Sequence, residues 1–338
     1  MRSVRILLHS KSIAAHLACG ALLLLGAASV HAQPALKVHR VGIVSPLSAT
    51  PEPPTVRAFR QGMRELGYVE GKNIVVEARY AEGRPERFPE LIAELLKLKV
   101  DVVVTGSSMG ALSAKRATST VPIVFAGIID PVAGGIVTSL ARPGGNITGA
   151  TFGAGGSVIT GKWLELLKEA VPGLAHAAVL FNSAEPASAQ ALLEIHAAAR
   201  TLKVKIDQFD AGNDAALEKA FAAIGASGAQ GLVVTGSAYF GGNRAKLVRS
   251  AADKHLPAIY FFSAFPDNGG LMSYGGSAED SYRRAASYVD KILKGTKPAD
   301  LPIDQATRYE LVINLTTARA LGITIPRLLV LRADRVIE

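Results

Sequence analysis

Val102-Val103-Val104-Thr105-Gly106-Ser107 decides how this chain is read, because it returns almost letter for letter as Leu232-Val233-Val234-Thr235-Gly236-Ser237. In each copy a β-branched run suited to a strand breaks into Thr-Gly-Ser, and a segment of helical character follows. Each copy is then succeeded by an apolar run entered through proline: Val121-Pro122-Ile123-Val124-Phe125 and Leu256-Pro257-Ala258-Ile259-Tyr260. A repeat whose period is roughly half the chain implies two lobes of similar build; a period of about 20–50 residues would imply a solenoid. The two Thr-Gly-Ser turns are expected to face each other across a cleft.

Working outward, the first half alternates strand and helix patterns. Strands are expected over 38–44, 74–80, 100–105, 121–125 and 146–151. Val56, Phe59, Met63 and Leu66 mark one helix, Leu91, Leu95 and Leu98 another, and 109–117 a third. Asp130-Pro131 suits the start of a fourth, to about Ala141. Phe152-Gly153-Ala154-Gly155-Gly156 is the most flexible-looking stretch mid-chain, and the first crossing between lobes is placed there. The second half repeats the alternation, with strands over 177–181, 204–209, 231–235, 258–262 and 270–276. Its helices span 160–170, 188–202, 214–224, 243–254 and 280–293; that over 188–202 should turn Leu192, Leu193, Ile195 and Ala199 inward. A tail follows Lys297-Pro298 and includes a returning strand over 309–314. Such alternation implies βαβ units and parallel sheets. The domain reading is a leader over 1–32, an N-terminal α/β lobe over 33–152 joined by part of the tail, a C-terminal α/β lobe over 153–276, and a crossing helix and returning tail over 277–338.

The leader is basic at its start (Arg2, Arg5, Lys11), apolar from Ile13 to Val30, and closes on Val30-His31-Ala32, the small-x-small pattern of a secretory cleavage site. Cys19 is the only cysteine in the chain and lies within it, so the remainder holds neither a disulfide nor a cysteinate metal site. His16-Leu17-Ala18 ahead of it fits a lipobox poorly, and the expected product is a free, exported, periplasmic protein. Removing the three leader cations from the net charge of +9 leaves +6, scattered without a run of five like charges. With aromatics at 6%, this argues against a nucleic-acid surface.

Gly106-Ser107-Ser108-Met109-Gly110 matches the G-x-S-x-G nucleophile turn between a strand and a helix, which makes a secreted esterase using Ser108 the rival reading. The histidines beyond the leader, His39, His176, His196 and His255, are badly placed to serve it: three lie at strand starts and His196 within a helix. Gly156 to Lys162 imitates a phosphate loop, but Trp163 stands where a magnesium-binding hydroxyl belongs. There is no dinucleotide glycine turn after the first strand and no metal-ligand spacing, so no cofactor and no metal are expected. Ser45, Ser107, Ser108, Asn182 and Ser237 lie at equivalent strand ends; hydroxyls and helix-start amides of this kind suit a carboxylate. Asp130 lies just past another strand end and suits an ammonium. Tyr80, Phe152, Phe262 and Tyr274 are candidates for an apolar wall.

Several segments together carry a resemblance. Phe59 to Asn73, with Glu65-Leu66-Gly67-Tyr68 inside it, Asp130-Pro131-Val132, Arg142-Pro143-Gly144-Gly145-Asn146, Gly270-Leu271-Met272-Ser273-Tyr274-Gly275 and Lys297-Pro298-Ala299-Asp300-Leu301-Pro302 resemble the solute-binding proteins of ABC-type importers. The subgroup is the one that includes tryptophan- and phenylalanine-binding members. The resemblance covers nearly the whole chain after the leader. It implies the type I periplasmic-binding fold, α/β with two Rossmann-like lobes joined by a three-stranded hinge. It further implies a small solute closed between the lobes, an ABC permease with its ATPase as partner, and no catalysis. The expected ligand is an amino acid or small carboxylate, and the expected state a monomer. Asp130 and Tyr274 are the carried-over contact residues. A ligand-sensing subunit of a receptor would share all these features.

Overall fold

The computed structural model describes residues 37–152, 158–305 and 308–338. The expected leader and the glycine-rich part of the first crossing lie outside the described residues. The first half gives β1 (His39–Ser45), α1 (Pro54–Glu65), β2 (Ile74–Tyr80), α2 (Phe88–Lys97), β3 (Val102–Thr105), α3 (Ser108–Ala117), β4 (Ile123–Ile128) and β5 (Ile147–Thr151). The second half continues with α4 (Val158–Ala170), β6 (His176–Phe181), α5 (Ser188–Leu202), β7 (Lys205–Asp210), α6 (Asp214–Ser227), β8 (Leu232–Val234), α7 (Ala238–Gly242) and α8 (Arg244–Asp253). After these come β9 (Ala258–Tyr260), α9 (Ala264–Asp267), β10 (Met272–Gly275), α10 (Ala278–Leu293), β11 (Asp304–Gln305), β12 (Glu310–Asn314), α11 (Leu315–Ala320), α12 (Arg327–Arg332) and β13 (Arg335–Ile337).

The strands form two sheets, ordered β11-β5-β4-β3-β1-β2 and β13-β12-β10-β9-β8-β6-β7. Every pairing is parallel except β10 with β12, as buried β-branched runs separated by helices require. The chain changes sheet three times, between β5 and α4, between β10 and α10, and between β11 and β12. Helix α10 therefore packs in the first lobe. Its Tyr282, Ala285, Ala286 and Val289 share a core with Val56, Phe59 and Met63 of α1. A second core, on the other side of that sheet, gathers Leu91, Ile92 and Leu95 of α2 with Val103 and Phe125. The second lobe is built around Trp163, Leu167, Phe240, Phe265 and Leu329. Among the described residues no helix is long and apolar enough to cross a membrane.

Two expectations fail locally. No helix follows Asp130-Pro131: residues 131–135 form turns instead. Asp130 Oδ1 accepts the N–H groups of Val132 (3.1 Å) and Ala133 (2.9 Å), as a helix cap does, but Gly135 then takes a positive φ of 66° and turns the chain away. In α5, Ile195 and Ala199 point inward, but Leu193 is 65% exposed. The helix is rotated so that Ala187, Gln190, Ala191 and Glu194, at helical spacing from its N-cap onward, face a cavity instead.

Candidate functional site

That cavity lies beyond the carboxyl ends of β1, β3 and β4 on one side and of β6, β8 and β9 on the other, where open α/β sheets place ligands. Gly106, Ser107 and Ser108 line it from the first lobe, and Thr235, Gly236 and Ser237 from the second. The repeated turns thus share one gap. Its volume is about 130 Å³, room for a single small molecule, given that a cavity of about 150 Å³ accepts a benzene ring. Opposite the hinge the lobes touch at the rim: Asn243 Nδ2 donates to the Gly83 carbonyl at 3.0 Å.

Ser45, Ser107, Ser108, Asp130 and Ser237 all line the cavity. Ser45 Oγ accepts the Leu47 N–H at 3.2 Å, and Ser107 Oγ caps α3 by accepting the Gly110 N–H at 3.0 Å. The first-turn amides of Ser108 and Met109 have no acceptor within the helix, and Ser108 is at the cavity wall. Asn182 and Tyr274 do not reach the cavity wall. Asn182 is buried behind Ser237, donating to its Oγ at 3.1 Å while its own Oδ1 accepts the Ala184 N–H. Tyr274 alternates to the outer side of β10, where its ring stacks on Tyr309, and only its carbonyl faces inward, accepting the Trp163 indole N–H at 2.7 Å. Among the proposed wall residues, Phe152 and Phe262 line the cavity and Tyr80 does not.

The lining also includes Trp163, Phe261 and Tyr282, and two carboxyl groups, Glu185 and Glu194, that no motif announces. Glu185 lies three residues past Asn182 in the same strand-end loop, so a wider reading of that loop would have included it. Its Oε1 accepts the Ala238 N–H at 2.6 Å, and it bonds the Ser237 hydroxyl. Burial raises its pKa, with those two bonds opposing. Glu194 belongs to the cavity-facing stripe of α5. It accepts the Thr160 hydroxyl and Gln190 Nε2, the latter at 3.0 Å. Burial raises its pKa, and the charge of Asp130 across the gap pushes the same way. No Lys or Arg appears among the described lining residues. Thr55 in the first lobe and Ser188 in the second also line the cavity, and their hydroxyl oxygens are buried with no hydrogen-bond partner among the described residues.

The four histidines of the described residues stand apart from Ser108. His39 rings against Tyr68, His176 binds Asp207 at 2.8 Å, His196 bonds Gln208, and His255 precedes β9. None of these four lines the cavity, so no histidine among the described residues stands on the wall that Ser108 shares. Trp163, at the magnesium position of the imitation phosphate loop, is buried at the cavity wall.

The sequence profile of the ABC transporter substrate binding protein family matches residues 40–337. The chain belongs to that family. Members bind small solutes and work with ABC permeases, and this substrate-binding protein has the two-lobed type I fold. It is similar to a tyrosine-binding protein of Clostridioides difficile, 23% identical over 265 residues that cover 78% of this chain and 75% of the relative. Among solved structures it superposes on a conserved domain protein of Vibrio cholerae with a TM-score of 0.79, at 27% identity over 89% of this chain and 100% of that one. It also superposes on an ABC domain of Streptococcus pneumonia in complex with L-Trp with a TM-score of 0.80, at 24% identity and the same coverage.

Proposed function

We propose that this substrate-binding protein captures an amino acid with an apolar side chain in the periplasm and presents it to its permease, without chemical turnover and as a monomer. The observation that carries the reading is the composition of the cavity wall. One end offers the Ser108 hydroxyl and the first-turn amides of α3 for a carboxylate. Asp130 and Glu194 approach from opposite lobes for an ammonium. Phe152, Trp163, Phe261 and Phe262 surround the remaining space. Relatives whose names record tyrosine and L-Trp binding support the same class.

The arrangement couples binding to closure. Asp130 and Glu194 repel each other when the lobes approach, and an ammonium between them replaces that repulsion with attraction. Contacts to both lobes exist only when the gap is shut, so ligand shifts the population toward the shut form. The ligand carboxylate belongs at the first turn alone, because Glu185 already occupies Ala238 N–H and Ser237 in the second. The test is a thermal-shift screen of the exported form against the common amino acids and small carboxylates. A ligand present at about 100 times its Kd adds about 2.7 kcal/mol. If no amino acid moves the melting temperature, the reading fails.

A further inference from the structure

The repeated turns are alike in sequence and unlike in occupancy. At Thr105–Ser108 the capping hydroxyl is internal to the turn, Ser108 lines the cavity, and among the described residues no carboxylate of the chain bonds it. At Thr235–Ala238 a carboxylate from the chain is in place: Glu185, 8% exposed, accepts the Ala238 N–H at 2.6 Å and bonds the Ser237 hydroxyl. Ser237 is held from behind by Asn182 Nδ2 at 3.1 Å. Glu185 is itself part of the cavity wall, so its position is one a ligand atom would otherwise take.

We infer that Glu185 is a specificity-determining residue: it fills from within the chain the place a second ligand carboxylate would need, so that the cavity takes amino acids with a single carboxylate and rejects dicarboxylic ones. The inference rests on the amino-acid reading above. Its physical basis is twofold. A second carboxylate finds the Ala238 and Ser237 donors already committed. It also finds carboxyl groups from Glu185, Glu194 and Asp130 and, among the described lining residues, no cation to offset them. A ligand whose far end is apolar meets Trp163 and the phenylalanines instead and displaces nothing.

The test is calorimetric titration of the exported form and of Glu185→Gln and Glu185→Ala with L-tyrosine, L-tryptophan, L-glutamate and L-aspartate. The wild type is expected to bind at least one of the first two and to bind the acidic pair at least about a hundredfold more weakly. The Gln variant keeps an acceptor for the Ala238 N–H but turns the second oxygen into a donor. It should narrow the gap between neutral and acidic ligands about fivefold, and the Ala variant, which frees both donors, about tenfold or more. The quantity read is the ratio of neutral to acidic affinity within each variant, so a change common to both ligands cancels. Equal binding of glutamate and tyrosine by the wild type overturns the inference without any variant. So does an unchanged neutral-to-acidic ratio in Glu185→Gln, whose near-identical shape keeps the test alive if the Ala variant does not fold. In both of those outcomes the amino-acid reading survives; if the wild type binds none of the four, a neutral amino acid found by the thermal-shift screen takes tyrosine's place in the ratio, and if the screen finds none, the reading and the inference fall together.

Discussion

A single methyl group at the rim of the cleft should separate closure from ligand contact. Gly242 ends α7 and meets the other lobe backbone to backbone. A Cβ built on it would lie 2.4 Å from Gly83 Cα and 2.9 Å from both the Gly83 nitrogen and the Pro46 carbonyl. Carbon atoms in contact sit about 3.5–4.0 Å apart, so Gly242→Ala forces the rim open by about 1 Å or more. None of those atoms is the far end of a flexible side chain, and none can swing aside. Opening also stretches the Asn243 Nδ2 bond to the Gly83 carbonyl, now 3.0 Å. Overpacking of this kind costs about 1–3 kcal/mol. That cost falls only on the shut form, because within its own lobe Gly242 is helical and alanine suits a helix better than glycine. Affinity for the ligand found by thermal shift should therefore drop about five- to 150-fold. The melting temperature without ligand should hold or rise slightly. Calorimetry on the variant, with small-angle scattering to follow compaction on ligand addition, reads both quantities. Unchanged affinity together with undiminished compaction would refute the claim that Gly83 and Gly242 touch in the bound form.

Further expectations concern the cavity wall and its supports. Asp130→Asn keeps the oxygen that accepts the Val132 and Ala133 amides, so folding should survive, while loss of the charge should weaken amino-acid binding about tenfold or more; unchanged affinity would remove Asp130 from the ammonium site. The raised pKa of Glu194 sets a pH dependence. An ammonium ligand requires the ionised carboxylate, so affinity should fall as pH drops toward the raised value, which lies above the ordinary 4.5, and Glu194→Gln should flatten that slope. In the ligand-free protein the sign is opposite. The native state holds this proton more tightly than the unfolded chain, so the contribution to stability is fullest below the ordinary value and is lost as pH rises through the raised one. A melting temperature that falls with pH in Glu194→Gln as steeply as in wild type would contradict it. Trp163→Phe removes the 2.7 Å bond to the Tyr274 carbonyl and should destabilise the second lobe by about 1–3 kcal/mol in chemical denaturation.

Much of this architecture is legible before any coordinates exist. The strand at 74–80 and the helix at 188–202 fall where period and composition put them, since Ile74-Val75-Val76 and a capless alanine-rich run leave little choice. The duplicated Thr-Gly-Ser turns locate the gap, because a polar break after a buried parallel strand lands at the same end of each sheet. What stays hidden is direction. A residue at a strand tip can face the gap or the rear, and Asn182 and Tyr274 show the second outcome. Alternation states that neighbours oppose each other and not which of them faces inward. Glu185 and Glu194 were hidden for another reason. Glu194 meets the charge of Asp130 only when the second lobe is placed against the first, and Glu185 meets Ala238 of its own lobe 53 residues further along the chain, relations that no short window of sequence contains. The missing helix after Asp130 is a local contest that capping signals win for one turn and Gly134-Gly135 ends.

The threefold exchange of chain between sheets carries a consequence for biogenesis. Strand β10 pairs with β12, which arrives only after the polypeptide has visited the other lobe to supply α10 and β11. A chain emerging N-terminus first from a translocon would hold β6 to β10 with a bare, apolar border until residues 310–314 appear. Truncation just before Glu310 should then yield dimers or aggregates joined along that border instead of a shorter monomer, and a chaperone that shields strand edges would be most needed during that interval.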